Sequence, residues 1–303
     1  MKKVLFAFML CLSSVAYAQV LDVASITKIA LPENPLTSVA GISPQGDYIL
    51  VTNAQNSGLS KYDLATGETT VISTAPGAGY NAKISDDGQT VVYRETAYGS
   101  DHLRRSTLLK QDIATGTTTT VVKATRNLQG VAVTDEAIVA VENEALMAEA
   151  VEGGQVTVDV PALSIKDRQL MITRNGTTTT FSPNGTQYSY IWPSLSPDGT
   201  KVLYYICSDG AYVCDTDGSN ITYLGRYTYP KWYSNNIVIA NDEEDNGEFL
   251  TRSQVVAATL DGTVQTLTDS SMLAINPYAS KSGDKIVFTS GTGEAYMINI
   301  NVK

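Results

Sequence analysis

One histidine, His102, stands in the 303 residues of this chain. A metal centre built from several imidazoles is therefore excluded, and a Ser-His-Asp hydrolase would have to use His102. No GxSxG elbow exists to present a serine nucleophile, and the SxDxGxTW box of sialidases is absent. Acidic residues number 31, so a carboxylate pair for glycoside chemistry stays open as an alternative. Basic residues are scarcer, at 21, and the net charge is −10. That balance repels phosphate backbones and anionic lipid, which argues against nucleic acid or a membrane surface as partner. Long apolar runs are missing beyond the first residues, so no membrane-spanning segment is expected.

The N-terminus reads as a leader. Lys2 and Lys3 precede an apolar run from Leu5 to Val15, and Ala16-Tyr17-Ala18 is a small-residue cleavage site. Cys11 follows Phe8-Met9-Leu10, where a lipoprotein signal would need small residues. The expectation is a signal peptide over 1–18 and an exported domain, periplasmic or extracellular, over 19–303.

Cys207 and Cys214 remain, flanking Asp209-Gly210. A two-residue turn there sets Cys207 opposite Tyr212 and Cys214 opposite Tyr205, with the sulfurs diagonal and their backbones about 7–8 Å apart. That spacing favours two buried free thiols; a disulfide needs a looser turn. Asn175, Asn184 and Asn220 each begin an N-x-T triplet in turn-like sequence.

What the chain does hold is turn signals between β-branched runs. The stretch Ser194 to Gly225 contains Asp198-Gly199, Asp209-Gly210 and Asp217-Gly218 separating four short apolar runs. Asp-Gly between such runs marks a hairpin, because glycine accepts the positive φ of a tight turn. Four strands in a meander make one propeller blade. Related turns recur at Ser43–Asp47, Ser85–Gly88, Thr134–Glu136, Ser196–Gly199, Ser234–Asn236 and Ser280–Asp284. A second series, expected between third and fourth strands, runs through Ala65–Gly67, Ala114–Gly116, Arg174–Gly176, Thr216–Gly218 and Asp261–Gly262.

The expectation is an all-β, six-bladed β-propeller of four-stranded antiparallel blades over 37–74, 80–123, 127–183, 190–225, 230–268 and 274–301. The last repeat lacks its outer strand, and a surplus strand at 23–31 supplies it. Such closure fastens the ring and covers an open edge. The arrangement resembles the TolB-type propeller, with its SPDG-like turn and WD40-like repeats; Ser196-Pro197-Asp198-Gly199 reproduces that turn in full. The resemblance implies the fold and closure through the N-terminal strand. With one histidine, the chain departs from the manganese-dependent pectin-lyase-like version of this fold, which clusters histidines in the channel.

Function is expected on the face holding the loops between second and third strands. Insertions fall at Thr96 to Thr107, with His102, Arg104 and Arg105, and at Asn143 to Arg168. An acidic run lies at 242–248. Tyr188, Tyr190 and Trp192 lead into one blade, and Tyr227, Tyr229, Trp232 and Tyr233 into the next. Aromatic rings suit stacking on sugars or gripping peptide, and equally suit packing between blades. Asp242, Glu244 and Asn246 alternate before Gly247 like the start of a calcium loop, but Ser253 stands where the terminal Glu belongs. No other cofactor is expected. The reading is a non-catalytic binding or scaffold propeller for a protein, peptide or glycan. Its competitors are a carbohydrate-active enzyme with carboxylates at the channel mouth, and a module serving a separate peptidase.

Overall fold

The computed structural model of the protein describes residues 19–32, 37–134, 137–151, 161–174 and 176–302. The leader, its cleavage site, Asp135, Glu136 and Asn175 lie outside them. Described strands form seven antiparallel sheets, five of four strands and two of three. The protein is a seven-bladed β-propeller.

Blade 1 comprises Thr37–Ile42, Tyr48–Asn53, Leu59–Asp63 and Thr69–Ser73. Blade 2 comprises Lys83–Ile84, Thr90–Tyr98, Arg104–Asp112 and Thr118–Thr125. Blade 3 holds Leu128–Val133, Ala137–Glu142 and Ala145–Ala150, and blade 4 holds Ala162–Lys166, Gln169–Arg174 and Thr177–Thr180. Blade 5 comprises Tyr190–Leu195, Lys201–Ile206, Gly210–Asp215 and Thr222–Gly225. Blade 6 comprises Tyr227–Ser234, Ile237–Asp245, Leu250–Thr259 and Val264–Thr266. Blade 7 joins Ala274–Ala279, Lys285–Ser290 and Ala295–Ile300 to the N-terminal strand Val23–Lys28.

Second strands such as IVIAN and KIVFTS are almost continuously apolar because both faces of each blade are covered by neighbours. The core accordingly divides into seven apolar clusters, one per junction. Leu50, Leu59, Val91 and Leu109 seal blades 1 and 2, and Val92, Leu108, Ile138 and Ala140 seal blades 2 and 3. Val139, Val141 and Ala162 join blades 3 and 4; Leu170, Tyr190 and Tyr204 join 4 and 5; Leu203 and Val238 join 5 and 6. Ile239 and Phe288 join blades 6 and 7, and Ile49 and Val287 close the ring between 7 and 1. First strands of successive blades touch one another around the whole ring, so they line its central channel.

The blade count corrects the sequence reading. The region 127–183 is two blades, and Asn143 to Arg168 is not one loop insertion. Asn143-Glu144 is a two-residue turn with φ of 49° and 66°, and Asp167-Arg168 is another with 50° and 68°. Paired positive φ values at a two-residue hairpin match the twist of the strands it joins. Strands Ala145–Ala150 and Ala162–Lys166 lie between these turns. Arg174–Gly176 therefore joins second and third strands of blade 4, not a third and a fourth. Gly130 lets the two inner strands close up, since a Cβ there would stand 2.4 Å from the Leu163 carbonyl oxygen.

The closing strand is present, over Val23–Lys28 rather than 23–31, antiparallel to Ala295–Ile300. The Cys207 register also differs from expectation. Ile206 pairs with Gly210 and Val202 with Cys214, so Cys207-Ser208-Asp209 is a three-residue turn. Cys214 is buried and Cys207 exposed, both as free thiols.

Ser43, Ser85, Ser196 and Ser280 occupy one equivalent place, buried at the turn between first and second strands. At Ser196 the hydroxyl accepts the Lys201 N–H at 2.9 Å and donates to Asp198 Oδ1 at 2.6 Å. Ser85 repeats this with Thr90 N–H at 2.9 Å and Asp87 Oδ1 at 2.5 Å. The SPDG signature is thus a hydrogen-bonded turn. Ser196→Ala is expected to destabilise by about 1 kcal/mol, the net worth of a typical buried hydrogen bond. An unchanged urea midpoint would show that the turn stands without the hydroxyl.

Candidate binding site at the central channel

Three consecutive inner strands carry the same irregularity. Pairing in blade 5 skips from Ile191 to Ser194, in blade 6 from Thr228 to Lys231, and in blade 7 from Ile275 to Tyr278. In each gap sits a residue followed by proline: Trp192-Pro193, Tyr229-Pro230 and Asn276-Pro277. Proline cannot donate to the ladder, which is why the extra residues fall at bulges. Trp192, Tyr229 and Asn276 have φ of 53°, 50° and 55°. Positive φ is rare for residues other than glycine and is held only where surroundings over-determine it. Asn241 does so for blade 7: fully buried, it accepts the Asn276 N–H at 2.8 Å and donates to the Ala274 carbonyl at 2.6 Å.

The bulges bring Trp192 and Tyr229 together. Their rings stack at 4.5 Å and 25°, with Tyr205 tilted against Trp192 at 5.2 Å. Trp192 is 36% and Tyr229 40% exposed, a large apolar area left open beside the channel. Next to them, Lys231 Nζ donates to Asn276 Oδ1 at 2.6 Å and stands 3.9 Å over the Tyr278 ring. Burial, then the charge of Lys83, pulls the Lys231 ammonium down to about 7. Burial first, and Arg94 second, lowers Lys83 too. Arg94 itself lies 5.3 Å over the Tyr80 ring.

Other aromatic candidates do not join this group. Tyr190 is fully buried, accepting the Asn184 N–H and donating to the Gly185 carbonyl, both at 3.0 Å. Trp232 packs at the junction of blades 5 and 6, and the Tyr233 hydroxyl reaches the Gly283 carbonyl of blade 7. These three serve interblade packing. Tyr188 is exposed beside the loop before blade 5, and Tyr227 is partly buried near Gly225.

The Thr96 to Thr107 insertion and the acidic run at 242–248 both belong to extended hairpins of strands already in the blades. His102 sits at the tip of the blade 2 hairpin with φ of 59°, Arg104 is exposed, and Arg105 pairs with Asp101 at 2.7 Å. On blade 6, Asp242 and Glu244 both pair with Arg252, at 2.9 and 2.8 Å. Asn246 Oδ1 accepts the Glu248 and Phe249 N–H groups at 3.0 and 2.8 Å. Among the described residues, no group of three or more His, Cys, Asp or Glu side chains is placed to hold a metal ion.

Sequence reasoning found Trp192 and Tyr229 but missed Lys231, Asn276, Asn241, Tyr278 and Lys83. The available signal was an X-Pro pair a few residues before the turn in three successive repeats.

No family model matches the chain, and no curated protein matches it. Solved propellers do. The β-propeller domain of Cps50 (Swd1) from Myceliophteria thermophila aligns with a TM-score of 0.59 at 10% identity, covering 91% of this chain and 100% of its own. The propeller domain of the trilobed protease from Pyrococcus furiosus gives 0.58 at 10%, covering 87% and 95%. A putative TolB from Agrobacterium tumefaciens gives 0.52 at 16%, covering 91% and 97%. At such identities the likeness establishes the fold, an all-β propeller with TolB-like and WD40-type neighbours.

Proposed function

We propose that this propeller is a non-catalytic binding module that takes a protein segment, peptide or glycan at its channel mouth. The observation carrying this reading is the stacked, solvent-open pair Trp192 and Tyr229, held by strained bulges on adjacent inner strands. Backbone strain repeated in neighbouring blades, and spent on presenting aromatic rings, fits a recognition surface. We further read the chain as exported, from its leader sequence.

A panel of glycans and a peptide display library, screened against the purified protein, should yield a ligand. Trp192→Ala and Tyr229→Ala are each expected to weaken it about tenfold, the usual effect of removing a central aromatic anchor. Ligand binding untouched in both variants would move the site elsewhere. Turnover of a bound glycan would favour the carbohydrate-active enzyme instead.

A further inference from the structure

Lys231 belongs to the inner strand of blade 6 and Lys83 to that of blade 2, three blades away around the ring. Both strands line the central channel, and the charge of Lys83 reaches Lys231. The Lys231 amine is fixed by the Asn276 amide oxygen and the Tyr278 ring, which occupy only part of its three-donor capacity. Among the described residues, no hydrogen bond or ion pair holds the Lys83 ammonium. Arg94 adds a third cation behind Lys83. Lys231 is faced by Asn276 and Tyr278 from blade 7 and by the charge of Lys83 from blade 2, and Tyr229 in turn acts on Tyr278. No described carboxylate acts on either lysine.

Like charges gathered half-buried along the channel, without a counter-charge, are unfavourable unless a ligand supplies one. We propose that the central channel is a carboxylate-binding site in which Lys231, oriented by Asn276 and Tyr278, and Lys83 of blade 2 receive an acidic group of the ligand. This deepens the binding reading above and rests on it only in that the ligand enters past Trp192 and Tyr229. The aromatic pair takes the apolar face of the ligand, and the lysines take its charge.

Titration calorimetry with D-glucuronate and with N-acetylglutamate amide tests the site, against glucose and N-acetylglutamine amide as uncharged controls. An acid probe is expected to bind and its control not to. Affinity should rise about tenfold or more as the pH falls from 8.5 to 6, because Lys231 gains its proton over that range. Lys231→Met and Lys83→Met should each weaken binding about tenfold, the cost of losing one charge-assisted contact. Lys231→Arg should keep binding and flatten the pH profile, since a guanidinium stays charged throughout. Glucuronate binding alone assigns a sugar acid, and acetylglutamate amide alone an acidic peptide; either supports the site.

Trp192→Ala separates the two proposals. Loss of partner binding with the probe retained leaves the carboxylate site standing. Acids that bind no better than their controls, no binding at millimolar concentrations, or a Lys231→Met Lys83→Met double variant that binds unchanged would each overturn it.

Discussion

A chain lacking residues 19–30 is expected to lose most of its stability and to aggregate. This segment closes the ring: Val23–Lys28 pairs along Ala295–Ile300, and the Ile29 N–H donates to the Ala295 carbonyl at 2.9 Å. Gln265 of blade 6 accepts the Val20 and Leu21 N–H groups at 2.6 and 2.8 Å. Leu21 and Ile29 are buried in the two clusters on either side of blade 7. Burying two such side chains is worth about 4 kcal/mol, and the strand pairing about 1 kcal/mol per hydrogen bond. The total is comparable with the whole stability of a typical domain, about 5–15 kcal/mol. The deletion also bares the Ala295–Ile300 edge, a template for pairing between molecules. Thermal melts and size-exclusion chromatography check this, and a synthetic 19–30 peptide added in trans should partly restore the monomer. A soluble truncated chain melting near the full-length temperature would show that the ring holds without its seal.

Lys231→Met is expected to do the opposite and stabilise the fold. An unfolded lysine titrates near 10.5, whereas in the folded channel Lys231 titrates at about 7. Between those values the unfolded chain holds more protons, so the native state gains stability as the pH rises. Below about 7 both states are protonated and the full cost of the buried charge is felt. Methionine removes that cost while filling similar space, at the loss of the Asn276 contact. The expected gain is roughly 2 kcal/mol at pH 6, a fraction of the full linkage energy, shrinking toward nothing by pH 10. Urea unfolding at both pH values decides it. A variant less stable than the parent at pH 6 would mean that the lysine contributes more through its contacts than its charge costs. Stability given up at a position proposed to bind a ligand is a common trade.

The fold was legible where local chemistry repeats. Ser196-Pro197-Asp198-Gly199 and its relatives mark turns because serine, aspartate and a glycine at φ of 70° satisfy the same backbone geometry each time. The strand missing at one end and surplus at the other gave the closure. The count failed at 127–183, because Asn143-Glu144 and Asp167-Arg168 turn by positive φ without glycine. Asn143 and Asp167 tolerate that conformation better than most residues, but Glu144 and Arg168 stand where the glycine of an Asn-Gly or Asp-Gly hairpin signal would be. Arg174–Gly176 then imitated a turn of the wrong series.

The site was legible only in its aromatics. Tyr190 and Trp192 alternate along one strand, yet Tyr190 is sealed in the core and Trp192 is open. The bulge at Trp192-Pro193 and the neighbouring blade decide which way each ring lies. A lysine in TYPKWYS looks like any surface charge until seven blades close around it.

Taken alone, the sequence determined an all-β propeller, its turn chemistry and its seal, because these depend on contacts within a repeat or between the chain's two ends. The tertiary structure alone decided the number of blades, the pairing of Trp192 with Tyr229, and the placing of Lys231 and Lys83 on strands that line one channel. Those depend on which blades stand beside or opposite each other, and ring closure brings together residues about 150 positions apart in the chain.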